Sequence, residues 1–212
     1  MSGSHSSMPI ASRTSIGEDL AGYEVIVAVC GGIAAYKVCA VASELVQRGA
    51  GVTVAMTRSA QRFVGPATFQ ALTGRRVLTS LWSPDAYYDS QHIRLTDQAD
   101  ACVVAPATAN VIGKIAAGIA DDLVTTLITC ARPPIILAPA MNERMWNNPI
   151  VQSNIAKLSG LGFVFVGPGE GWLACRTVGV GRMVEAETIV QTVVERLKAA
   201  PPRSSASRGA ES

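Results

Sequence analysis

Short, wholly apolar runs alternate along this chain with longer stretches whose apolar residues recur at helical spacing. Residues 24–30 (EVIVAVC) are rich in β-branched side chains and end at Gly31-Gly32, the signature of a strand buried on both faces. From 33 to 48 the apolar positions Ile33, Tyr36, Val41, Leu45 and Val46 recur at broadly helical spacing, and Gly49 supplies a stop, so one helix is predicted there. Further strands are predicted over 52–56, 99–105, 134–138 and 163–166. Helices are predicted over 108–118, 123–131, 150–158 and 187–199. No strand shows a long apolar–polar alternation. The expected fold is therefore α/β, a single-domain, doubly wound, mainly parallel sheet with helices on both faces.

Composition adds limits rather than chemistry. With 212 residues, 49% of them hydrophobic, the chain can bury one substantial core. One domain is expected over 21–200, between small, polar, Ser- or Pro-rich tails (1–20 and 201–212) expected to be disordered. The 18 basic and 16 acidic residues are scattered, which argues against nucleic acid as a partner. No apolar run reaches the roughly 18–20 residues that span a bilayer. The start of the chain lacks the apolar segment of a secretory signal, so no membrane association and a cytoplasmic location are expected. Five cysteines (30, 39, 102, 130 and 175) form no Cys-x-x-Cys pair, which fits neither a disulfide framework nor a zinc site. Four of them sit in apolar runs; Cys175 stands instead in a polar, glycine-punctuated loop.

Candidate chemistry gathers in the segments that follow strands, where open α/β sheets bind ligands. Gly31-Gly32-Ile33 precedes a helix and lets an anion approach its free N–H groups, although a tight packing turn has the same sequence. The chain lacks Gly-x-Gly-x-x-Gly, an acidic residue closing the second strand, and a Walker A loop. Thr57-Arg58-Ser59 stands at that second position instead and suits a terminal monophosphate, with helix capping by Thr57 or Ser59 as the alternative. Together these loops favour a mononucleotide, FMN being the candidate. In Pro106-Ala107-Thr108-Ala109-Asn110 the small residues would admit a flat ring, with Thr108 and Asn110 meeting its polar edge or Thr108 capping a helix. Asp121-Asp122 opens a helix and is read as a cap.

Pro139-Ala140-Met141-Asn142-Glu143-Arg144-Met145-Trp146 places an amide, thioethers and an indole just past a strand, a composition expected of a site. His92 is the single histidine outside the N-terminal tail, which excludes a multi-histidine metal centre, so no metal is expected, and leaves an acid–base role open. The loop 171–183 carries Trp172, Cys175, Arg176 and Arg182 and is expected to close over a ligand.

These residues taken together (Gly31-Gly32-Ile33, His92, 106–110, Pro139-Ala140-Met141-Asn142 with Met145, and Ala174-Cys175 with Gly179, Gly181, Arg182 and Met183) resemble the phosphopantothenoylcysteine decarboxylases. That group lies within the homo-oligomeric flavin-containing cysteine decarboxylases, and the match covers about residues 23–185. The resemblance implies a flavodoxin-like fold, bound FMN near a subunit interface, and homotrimers or assemblies of trimers. It implies decarboxylation of 4'-phosphopantothenoylcysteine to 4'-phosphopantetheine in coenzyme A biosynthesis, by thiol oxidation, CO2 loss and re-reduction of the enethiol. Gly31, Gly32, Ile33, Thr57, Ser59, Ala107, Thr108, Ala109, Asn110 and Ala140 would hold FMN. His92 would be an acid–base residue and Cys175 the proton donor of the last step. Asn142, Met145 and Ala174 would contact substrate. Arg176 stands where the family usually has glycine, and its charge makes it a candidate for the substrate phosphate. No ligase domain is seen in the sequence, so phosphopantothenate–cysteine ligase is expected as a separate chain. Two rival readings are a peptidyl-cysteine decarboxylase that releases an enethiol, against which Cys175 argues, and a non-catalytic FMN-binding regulatory subunit.

Overall fold

Successive residues of β1 (Glu24–Val29) divide between two cores, which is why the run is apolar throughout. In the computed structural model, which describes residues 18–82, 91–132 and 134–203, Val25, Val27 and Val29 pack on one face of the sheet. Ile26, Ala28 and the following Cys30 pack on the other. β1 pairs in parallel with β2 (Gly51–Met56) on one side and β3 (Ala101–Ala107) on the other. β4 (Ile135–Pro139) and β5 (Val164–Phe165) continue the sheet in the order β2-β1-β3-β4-β5. This is the expected doubly wound α/β fold, with the flavodoxin-like order that reverses between β1 and β3.

Helices α1 (Val38–Gln47), α2 (Pro66–Thr73) and α8 (Ala186–Leu197) cover the first face. Helices α4 (Ala109–Ala117), α5 (Leu123–Cys130) and α7 (Pro149–Gly160) cover the second, joined by Leu95 of α3 (Gln91–Gln98). The predicted helix over 33–48 divides into a 3-10 segment, Ile33–Lys37, and α1. Ile33 and Tyr36 are 60% and 59% exposed, so the apolar spacing that predicted one helix mixes a core-facing stripe with residues turned toward a cavity. α2 is absent from the sequence reading because Phe69 is its single buried residue, leaving no periodicity to detect. Its boundaries are nevertheless written in the chain, as Pro66 in the first turn and Gly74 with φ 65° at the end.

The segment expected to be an irregular loop at 171–183 is largely an antiparallel hairpin, β6 (Gly169–Trp172) with β7 (Val178–Arg182). Glycines at 169, 171, 179 and 181 concealed it by removing the β-branched side chains that mark a strand. Packed backbone extends beyond the expected domain limits. Leu20 is fully buried, and the Arg203 N–H donates to Asp100 Oδ1 (2.7 Å) while Glu24 N–H donates to Asp100 Oδ2 (2.8 Å). The expected tails before residue 18 and after 203 lie outside the described residues. Among the described residues no helix is long and apolar enough to cross a membrane.

Candidate active site

The carboxyl ends of β1, β2, β3 and β4 open onto one cavity of about 1130 Å³, roofed by the β6–β7 hairpin. Gly31, Gly32 and Ile33 line it after β1, Thr57, Arg58 and Ser59 after β2, Thr108, Ala109 and Asn110 after β3, and Ala140, Met141, Asn142 and Met145 after β4. Gly31 packs so closely on Ser59 that a methyl group there would overlap the serine side chain, which holds the first two loops together. Gly32 is open: a Cβ would meet nothing nearer than the Pro106 and Thr108 side chains at 3.6 and 3.7 Å.

The loops after β2 and β3 are each fixed by a threonine side chain. Thr57 Oγ1 accepts from Ala60 N–H (3.1 Å), and Thr108 Oγ1 accepts from Val111 N–H (3.3 Å) at the start of α4. Thr108 is thus the N-cap of α4, whereas Thr57 bonds at the 3-10 segment 60–62, whose N-cap residue Ser59 makes no side-chain capping bond; both threonines still line the cavity. Asp122 caps α5 through a reciprocal capping box with Thr125, as expected from the sequence. Asp122 also reaches the cavity wall, where Lys114 Nζ donates to it (3.2 Å) and to Asp121 (2.7 Å).

The hairpin brings Cys175 to the same cavity. Asn142 caps α6 (Glu143–Trp146), its Oδ1 accepting from Arg144 N–H (2.9 Å), while its Nδ2 donates to Cys175 Sγ (3.1 Å). Thr177 Oγ1 lies 3.0 Å from the same sulfur. These hydrogen bonds, that of Thr177 foremost, hold the exposed Cys175 thiol below its ordinary pKa of 9.0. Burial acts oppositely on the core cysteines, raising Cys30 strongly and pushing Cys102 up to about 12. Cys175 is thus distinguished by its exposure and by two side-chain hydrogen-bond partners.

The hairpin turn explains the position at which this chain has arginine. Leu173 N–H donates to Thr177 O (2.8 Å) and Arg176 N–H to Leu173 O (2.9 Å), so the turn closes with Arg176 at φ 66°. A left-handed residue at the end of a three-residue hairpin loop is the place where glycine costs least. Arg176 adopts that conformation regardless, and among the described residues it is the one non-glycine residue with positive φ. Its side chain does not line the cavity.

The roof rests on the β4 loop through glycines. Met141 N–H donates to Gly181 O (2.9 Å), and Gly181, at φ 134°, lies so close to the Met141 carbonyl that any Cβ would overlap it. Gly181→Ala should displace the hairpin and destabilise the fold by about 1–3 kcal/mol. Thermal melting checks the stability change, and the labelling rate of Cys175 by a thiol reagent reports the displacement.

Of the residues singled out in the sequence, Gly31, Gly32, Ile33, Thr57, Ser59, Thr108, Ala109, Asn110, Ala140, Asn142, Met145, Ala174 and Cys175 converge on this one cavity. Three of the expected catalytic or binding residues do not line it. Ala107 is fully buried in β3 and contributes its carbonyl to Ala140 N–H (3.1 Å). Arg176 stands at the hairpin turn without lining the cavity, and His92 lies half-buried on α3, outside the cavity formed by its own chain. Sequence reasoning missed Lys37 and Lys114, which also line the cavity. Lys114 stands four residues after Asn110 on one helix face, which was an available signal, whereas Lys37 ends a 3-10 segment and had none.

The Flavoprotein family model matches residues 13–198. The coenzyme A biosynthesis bifunctional protein CoaBC of Bacillus subtilis (strain 168) is 52% identical over 167 residues, covering 79% of this chain and 41% of that protein. CoaBC of Mycolicibacterium smegmatis is 44% identical over 180 residues, covering 84% of this chain and 43% of that protein. The chain thus spans less than half the length of these curated relatives. Among solved structures, a PPC decarboxylase mutant complexed with pantothenoylaminoethenethiol matches with TM-score 0.71 and 32% identity, covering 81% of this chain and 96% of that one. The FMN-dependent cysteine decarboxylase SpaF matches with TM-score 0.73 and 31% identity, covering 85% and 99%. By a family model that matches residues 13–198, and by fold, the chain belongs to the Flavoprotein family.

Proposed function

We propose that this chain is an FMN-dependent carboxy-lyase that converts 4'-phosphopantothenoylcysteine to 4'-phosphopantetheine in coenzyme A biosynthesis. The observation that carries the reading is the contact of Asn142 Nδ2 with Cys175 Sγ at 3.1 Å inside the cavity. It brings an amide donor suited to a carboxylate within reach of a thiol acid. SpaF and the PPC decarboxylase share the fold, and this pairing favours an enzyme that completes a reductive second half over one that releases an enethiol.

The residues present fit FMN. The open space at Gly32 admits close approach, and the hydroxyls of Thr57 and Ser59 and the guanidinium of Arg58 form a donor set for a phosphate. Ala109, Ala140, Ile33 and Val111 offer small or apolar surface for a flat ring, with Thr108 and Asn110 for its polar edge. When bound, FMN supplies a two-electron acceptor and donor for the carbon bearing sulfur, giving an electron sink that a cysteine carboxylate otherwise lacks.

The protein's own groups supply the rest. Asn142 Nδ2 holds the substrate carboxylate, and Met145, 48% exposed at the mouth, packs beside the substrate chain. The hairpin covers the reacting carbon and limits water. Cys175 gives its proton to carbon in the reductive half, and the Thr177 hydroxyl steadies the thiolate left behind. Phosphopantothenate–cysteine ligase would supply the substrate.

His92 remains the acid–base residue of the oxidative half in this reading. Because it does not line its own chain's cavity, it is delivered from a neighbouring copy in a homotrimer or assembly of trimers, with the flavin near the subunit interface. His92→Asn should keep bound flavin and lose at least about 100-fold in turnover. Mixed oligomers of His92→Asn and Cys175→Ser subunits should recover release of the saturated thiol, measured after co-refolding. Mixtures as inactive as their parents would refute delivery from a neighbour.

A further inference from the structure

Two cations on the cavity wall are joined by one carboxylate outside it. Lys37, at the end of the 3-10 segment that follows the glycine loop, and Arg182, the last residue of β7, both line the cavity. Glu185, the N-cap residue of α8, does not line it. Lys37 Nζ donates to Glu185 Oε2 (3.1 Å) and Oε1 (3.3 Å), and Arg182 donates to Oε1 of the same carboxylate. Glu185 therefore touches both walls of the mouth, one carrying the glycine loop and one carrying the hairpin with Cys175.

Two further observations fit a purpose-built tie. The Arg182 side chain runs across Gly171 of β6, where a Cβ would come within 3.1 Å of its Cδ and Nη1, so the opposing strand is cut back to let it pass. The Glu185 side chain makes no capping hydrogen bond to α8, leaving its carboxylate committed to the two cations. Lys37 and then Arg182 hold that carboxylate below its ordinary pKa, which keeps it ionised at neutral pH.

We propose that Glu185 is a positioning residue that ties the hairpin to the glycine-loop wall through Arg182 and Lys37, holding Cys175 over the reacting carbon during the reductive half-reaction. When the tie is released the roof opens more often, and the enethiol escapes before it is reduced. Glu185 touches no substrate atom, so its effect falls on how the product divides.

The test uses the flavin-loaded full chain and has a readout that needs no substrate. Trypsin cleavage after Arg176, followed by the mass of the fragment beginning at Thr177, reports opening of the hairpin turn. Glu185→Gln and Lys37→Met should each accelerate this cleavage about threefold, and the double variant no further than the faster single one. With phosphopantothenoylcysteine, the fraction of product leaving as enethiol should rise about threefold in Glu185→Gln. Unchanged cleavage in Lys37→Met overturns the proposal, since that residue is remote in sequence from the hairpin. An equal acceleration at trypsin sites throughout the fold overturns it as well, because that marks general loosening. The product readout rests on the decarboxylase reading; if the parent chain fails to turn over this substrate, that reading falls while the cleavage readout still decides the tie.

Discussion

Cys175→Ser should change the product completely: CO2 is still released from phosphopantothenoylcysteine, but the product leaves as, or stays bound as, the unreduced enethiol. A serine hydroxyl fills nearly the same space between Asn142 and Thr177, so the fold and the oxidative half have no reason to suffer. Its proton, however, is many orders of magnitude less acidic than that of a thiol whose pKa already lies below 9.0. Loss of the general acid should slow formation of the saturated thiol by about 100-fold or more. Mass analysis of the product over time checks this. The parent enzyme carries a related pH signature. The acid must be protonated to act, so saturated product should fall and enethiol rise as pH increases through the lowered thiol pKa, below 9.0 and not above it. An enethiol fraction independent of pH over that range would remove Cys175 from the role.

Asn142→Asp separates what this residue does for the fold from what it does for substrate. Aspartate caps a helix as well as asparagine does, so the bond from Arg144 N–H to the side chain survives and stability should change by less than about 0.5 kcal/mol. The donor to Cys175 is lost, and a second carboxylate now faces the substrate's own. Like charges in such a site cost several kcal/mol, so kcat/KM should fall by about 100-fold or more. Asn142→Ala loses the cap as well and should also lower the melting temperature. Comparing kcat/KM and melting temperature in the two variants makes the distinction; equal melting losses in both would show that the cap was never the structural role.

The central strands of the sheet were legible because they are buried on both faces, so that 24–29 or 135–139 contains almost nothing but apolar residues. The loops that follow them were legible for a complementary reason: amide residues such as Asn110 and Asn142 stand out immediately after an apolar run. α2 and α3 were not legible, since each presents a single buried residue to the core. The hairpin was hidden by glycines that serve close approach to Met141, Glu143 and Arg182 rather than flexibility. Arg176 shows how much one dihedral angle explains. Its deviation from the family pattern is visible in the sequence, but the reason glycine is usual there, a left-handed turn residue, required the backbone. The Glu185 tie lay beyond sequence reasoning altogether, because Lys37 and Glu185 stand 148 residues apart and neither spacing nor periodicity connects them.

In the proposed reaction the decarboxylation is complete, with both half-reactions at one cavity. Incubating the flavin-loaded chain with phosphopantothenoylcysteine and measuring the product mass tests it most directly. The expected product is lighter than the substrate by CO2 alone, the mass of 4'-phosphopantetheine. A product lighter by CO2 and two further hydrogens, or no turnover, would contradict it.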